Sequence, residues 1–136
     1  MQPLKMSWIS KINRSKVNDY LLVFAGGGIG SVIRYGVGGL LEITFGSTMA
    51  GSLSLLIVNV LGAMFLGLVS YHPAFSSDAQ KSFWGIGFCG GFTTMSGVAI
   101  FLYQPMSIPL TSLMFGLGFL GFAIGVRLGK ASGVKK

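Results

Sequence analysis

Charge is scarce in this chain. Of its 136 residues 10% are charged, with three acids, one histidine and one cysteine, whereas ordinary soluble domains carry about a quarter charged residues. The lone Cys89 excludes an intrachain disulfide, and the shortage of His, Cys, Asp and Glu leaves no metal-ligand spacing. Enzyme chemistry is disfavoured for the same reason: Cys89, His72 and the serines form no nucleophile–base–orienter pattern. The formal charge of +7 comes from residues at the chain ends, not from one face of a domain, which argues against nucleic acid as a partner. Residues 1–18 lack the apolar core of a cleavable signal peptide, so they read as a basic flank.

Apolar surface is what the chain has in abundance, at 51% hydrophobic residues and a mean hydropathy of +0.73. Crossing the hydrocarbon of a bilayer takes about 20 apolar residues, and four runs qualify, at 20–42, 50–70, 82–103 and 108–129. Turn chemistry separates them: Glu42 and Gly46-Ser47, then His72-Pro73 with Asp78 and Lys81, then Gln104-Pro105 and Pro109. Backbone groups cannot stay unpaired in lipid, and the runs are too long and too continuously apolar for barrel strands. The expectation is an all-α integral membrane protein: a basic flank over 1–19, a four-helix membrane domain over 20–129 and a basic tail over 130–136. With four spans, Lys5, Lys11, Arg14, Lys16, Lys81, Lys130, Lys135 and Lys136 share one side, with Arg127 at its edge, and the opposite loops contain no lysine or arginine. Short-loop positive charge stays cytoplasmic, which predicts a single orientation in the cell's inner membrane with both termini inside.

The 22 glycines point to close helix packing. Gly26 with Gly30, Ala63 with Gly67, and Gly121 with Gly125 and Gly129 stand four apart, on one helical face each. The GGGIG stretch has neither the spacing nor the preceding strand of a dinucleotide-binding loop.

Polar residues inside the spans are costly unless paired or facing water. Arg34, well into the first span, either snorkels to the interface or finds an acceptor within the bundle. Asn59, near the centre of the second, either ties helices together or offers its amide to a solute. Thr93, Thr94 and Ser96 sit in the middle of the third, just after Gly90-Gly91, which weaken the helix there; their hydroxyls either bond their own backbone or face a path. No carboxylate lies inside a span, which disfavours proton-coupled cation transport. Hydrogen-bond donors without acids suit a small anion or a neutral solute.

Three segments carry a resemblance: GGGIGSVIRY (Gly26–Tyr35), VNVLGAMFLG (Val58–Gly67) and GFCGGFTTMS (Gly87–Ser96). In order and spacing, over roughly 20–129, they resemble the signature segments of the small fluoride channels, the CrcB/Fluc family. The resemblance implies passive fluoride export through an antiparallel, dual-topology dimer of four-helix subunits, with the third helix broken mid-span and two pores at the interface. It also implies a structural sodium ion, held by backbone carbonyls that fall on Gly90 and Thr93 here. Asn59, Thr94, Ser96 and Ser112 would belong to the polar track of the pore, and Arg34 to its entrance. The chain departs from the family where the pattern T-T-F-S-x-F-S-x-E reads T-T-M-S-G-V-A-I-F. Met95 and Val98 replace pore-facing phenylalanines, whose electropositive ring edges a thioether or isopropyl group lacks. Ala99 and Phe101 replace a serine and a glutamate, Ser54-Leu55 a glycine-threonine pair, and Met64 a phenylalanine; Tyr103 lies too early for the fourth-helix tyrosine.

An antiparallel homodimer needs both orientations, so the one-sided charge favours a heterodimer with an oppositely oriented paralogue. Two other readings stay open: a structural partner without a pore of its own, and a small multidrug-type exporter, which should carry an intramembrane glutamate that this chain lacks.

Overall fold

The structure, a computed structural model, describes residues 14–104 and 107–133. Among them no strand occurs, and the elements in order are α1 (Arg14–Phe45), α2 (Ser47–Tyr71), a 3-10 turn (Pro73–Phe75), α3 (Asp78–Gln80) running into a π-helical stretch (Lys81–Phe88), α4 (Cys89–Phe92), α5 (Met95–Phe101) and α6 (Ser107–Gly133). Four stretches are long and apolar enough to cross a membrane: Asn18–Phe45, Met49–Tyr71, Asp78–Phe101 and Ser107–Gly133. Each of the four expected runs has its helix, and the third is a composite with a break inside it. The expected flanks are partly helical, since α1 begins at Arg14 and α6 ends at Gly133. Lys5, Lys11, Pro105, Lys135 and Lys136 lie outside the described residues.

Local chemistry sets the ends. Gly46 alone joins α1 to α2, at a φ of 76°, the left-handed region that a side chain disfavours. Between the second and third spans, His72 Nδ1 accepts from the Ala74 N–H at 3.0 Å to start the 3-10 turn. Ser77 then starts α3 with a capping box: its hydroxyl accepts from the Gln80 N–H, and the Gln80 side chain accepts from the Ser77 N–H, which satisfies amides that the first turn leaves without partners.

Glycine decides which spans touch. A methyl group at Gly26 or Gly30 would run into the backbone of Phe83, Phe88 and Phe92, and one at Gly91 into that of Gly27, so the first and third spans meet backbone to backbone. Gly67, Gly121, Gly125 and Gly129 do the same for the second and fourth spans, against Phe122, Val60, Met64 and Leu68. Lipid offers helices no hydrophobic drive to associate, so dispersion contacts at this close range hold the pairs. Ala63, expected to pack alongside Gly67, instead lines a groove on the bundle surface. Phe65 joins the two pairs, meeting Phe75, Trp84 and Phe88 edge to face at 6.1, 5.9 and 5.6 Å.

The interior is small. Val58 and Val69 are the largest fully enclosed side chains among the described residues, while Phe24, Tyr35, Ile43 and Phe119 project outward. Such a surface would be an aggregation liability in water and is the one hydrocarbon demands.

Candidate functional site

The third span loses its helix at Thr93 and Thr94, whose φ and ψ are −80° and 162°, and −147° and 114°. Breaking a helix in lipid strands its N–H and C=O groups, at several kcal/mol each if nothing pairs with them. Side chains from the first and second spans supply the partners. The Thr94 N–H donates to Asn59 Oδ1 at 2.8 Å, and Asn59 Nδ2 donates to the Thr94 carbonyl at 3.3 Å, with Met114 Sδ 3.8 Å away. Arg34 Nη1 donates to the Thr93 carbonyl at 2.9 Å, and Ser31 Oγ to the Gly91 carbonyl at 3.3 Å. On the far side of the break Thr94 caps α5, its hydroxyl accepting from the Gly97 N–H at 3.1 Å and pairing with Ser96 Oγ at 3.1 Å. Thr93 Oγ1 turns back to the Cys89 carbonyl at 2.8 Å.

The break falls one turn later than the glycines suggested. Gly90 and Gly91 both lie inside α4. Gly91 serves the contact with Gly27, while a Cβ at Gly90 would meet nothing within 4 Å. At the break Asn59 Oδ1 holds the Thr94 N–H, the amide that a continuous helix would give to the Gly90 carbonyl.

A groove of about 570 Å³ runs between the second, third and fourth spans, with Gly90, Thr93, Asn59, Met95, Val98 and Met114 among its lining residues. Apart from Asn59 and Thr93 its walls are apolar side chains, glycine and Cys89. Among the described residues neither an acid nor a histidine lines it.

Most of the residues singled out in the sequence therefore converge: Arg34, Asn59, Thr93, Thr94 and Ser96 form one hydrogen-bonded set at the break, and Gly90 lies beside it. Arg34 bonds within the bundle, which answers the snorkelling alternative. Met95 and Val98 differ: Met95 is 64% exposed, whereas Val98 is 2% exposed and enclosed within the subunit. Ser112 stands apart, exposed on α6 with its hydroxyl bonded to the Ile108 carbonyl at 2.9 Å. Sequence reasoning missed Ser31 and Thr111. Ser31 precedes Arg34 by one helical turn and shares its face, a spacing that could have revealed it. Thr111 is 6% exposed, and its hydroxyl has no partner among the described residues; the neighbouring Ser112 draws attention away from it, because sequence does not say which of two adjacent hydroxyls faces in.

Comparison with known proteins aligns residues 21–129 with the family described as CrcB-like protein, Camphor Resistance (CrcB). A protein named fluoride-specific ion channel FluC from Thermus thermophilus is 41% identical over 127 residues, covering 82% of this chain and 95% of the relative. Another of that name from Gloeothece citriformis is 41% identical over 130 residues, covering 82% and 97%. The fluoride-specific ion channel FluC 2 of Corynebacterium jeikeium is 34% identical over 133 residues, covering 80% and 78%. No solved structure matches the chain.

Proposed function

The chain belongs to the CrcB-like family, and from that premise we propose that it is a subunit of a fluoride-specific ion channel, embedded in the inner membrane with both termini cytoplasmic, that lets fluoride leave the cell down its gradient. The observation that carries the reading is the mid-span break, held by Arg34, Asn59 and Ser31 from neighbouring spans. It supplies hydroxyls and a guanidinium at membrane depth, with no carboxylate among the described residues of the groove to repel an anion. A strongly hydrated anion has to exchange water for such donors one by one.

The groove supports a dimer. Glycine and alanine lie along it, and Gly90 and Gly118 have open space where a side chain would stand, so a second subunit's helix could come close. The partner we propose is a paralogue inserted the other way up, because the described basic residues Lys16, Lys81, Arg127 and Lys130 share one side of the bundle. Paralogue numbering in the names of relatives, FluC 2 and FluC 3, is in keeping with paired subunits.

A monovalent cation fits the break. The Gly90 carbonyl is free of its helical amide, the Thr93 carbonyl keeps a lone pair beyond its bond to Arg34, and both residues line the groove. Uncharged oxygens suit a hard cation of low charge, and a partner's carbonyls would complete the shell. Sodium bound there would add positive potential beside the anion path.

The test is fluoride efflux from vesicles, read with a fluoride electrode, for this chain alone and with its candidate partner. Efflux in either preparation, absent from empty vesicles and not replaced by chloride efflux, is the expected result. Partner-dependent efflux that persists when this chain's break is disabled would favour a second role, as a structural subunit without a working pore, for which the enclosed Val98 in place of a ring is the motive.

A further inference from the structure

Arg34 is an intramembrane cation without an acidic partner among the described residues. Its guanidinium donates to the Thr93 carbonyl at 2.9 Å, while Asp19, Glu42 and Asp78 lie near the ends of spans. Thr93 lines the groove as Gly90 does, and the carbonyl that Arg34 holds is one of the two that the cation reading uses. Two lone pairs allow one carbonyl to serve both. Electrostatically the two are opponents, because like charges meeting at one oxygen repel strongly where water is sparse.

Resting on the channel reading above, we propose that Arg34 is a positioning residue with two opposed effects: its hydrogen bond fixes the Thr93 carbonyl at the break, and its charge weakens the monovalent cation bound to that carbonyl. The break is then electropositive whether or not the cation is present. Attraction of an anion to the break is thereby made less dependent on sodium. The guanidinium brings further N–H groups to the same place, since the described bond uses one of its five donors. A neutral side chain removes the repulsion and lysine keeps it, which separates the effect of the charge from that of side-chain replacement.

The experiment uses the full chain, purified in the assembly it forms, and follows thermal unfolding as sodium replaces N-methylglucamine at constant ionic strength. For Arg34→Gln, which retains a donor, the half-saturating sodium concentration should fall at least tenfold relative to the unmodified chain. Arg34→Lys, which retains the charge, should stay close to the unmodified chain. Arg34→Met is the second neutral variant, for use should the glutamine form fail to fold; it gives up the hydrogen bond as well as the charge, so its half-saturating sodium concentration should fall by less than that of Arg34→Gln but still lie below that of the unmodified chain. An unmodified chain that ignores sodium while a neutral variant responds also supports the proposal. Equal or weaker sodium response in the neutral variants overturns it and leaves the cation site standing. A flat response in every chain removes the cation site together with the proposal. Fluoride efflux from the unmodified chain, measured separately, judges the channel reading on its own.

Discussion

Asn59 uses both ends of its amide on one backbone residue, accepting from the Thr94 N–H and donating to the Thr94 carbonyl. A helix neighbour's side chain thereby takes the place of a strand partner and keeps Thr94 extended. Two such bonds contribute about 2 kcal/mol, and leaving their backbone partners unpaired in lipid costs more. Asn59→Leu, close in volume, should therefore lower the unfolding temperature in fluoride-free buffer and reduce fluoride efflux with it. Unchanged stability would mean that the break holds without the amide. The two altered ring positions also diverge. Met95 is largely exposed, so Met95→Phe places a ring at the groove without disturbing the core and should raise efflux, as electropositive ring edges favour an anion. Val98 is enclosed, and Val98→Phe should destabilise the subunit by about 1–3 kcal/mol through overpacking. The sequence resemblance alone treats the two as equivalent; a rise in efflux from Val98→Phe with no loss of stability would show that they are.

The third span is built in pieces because three demands meet in it. Its early part follows a π-helical path beside the aromatic side chains Phe65, Trp84 and Phe88, its middle presses Gly87 and Gly91 onto the first span, and its later part restarts as α5 from the Thr94 cap. Backbone contact in one place and open groove in another make the glycines unequal, and substitution separates them. Gly125→Ala would push the Met64 and Leu68 backbone away and should cost about 1–3 kcal/mol, read as a lower unfolding temperature. Gly118→Ala meets nothing within 4 Å, so it should leave the subunit's own stability unchanged. If a partner helix lies in the groove, the same variant should reduce the dimer fraction in chemical cross-linking. Equal effects of the two substitutions on unfolding would contradict the pairing of the second span with the fourth.

At the scale of the whole chain, orientation is the quantity that decides the assembly. A cysteine placed at Gly46 or Gln104, in a Cys89→Ala background, should react with an impermeant thiol reagent from outside the cell only, because Lys16, Lys81, Arg127 and Lys130 lie at the opposite ends of the spans. Labelling from both sides in equal measure would show dual insertion and favour a homodimer over a paralogous pair.

The number of spans, their approximate limits and the charge asymmetry were determined by the sequence, since the length of an apolar run and the side on which lysine stays are set by the bilayer and need no tertiary contact. The glycines at intervals of four announced close packing for the same reason, yet which helix each would touch depended on neighbours remote in the chain. Gly90 and Gly91 drew attention to the third span, but the break settled at Thr93 and Thr94, where Asn59 from another helix captures an amide. Arg34 was legible as costly; its acceptor, the Thr93 carbonyl, lies 59 residues away in sequence and was not. Burial likewise separated Met95 from Val98 and Thr111 from Ser112. Periodicity records which faces of a helix are apolar, whereas hydrogen bonds between spans are fixed only when the bundle brings a donor to a carbonyl that its own helix has released.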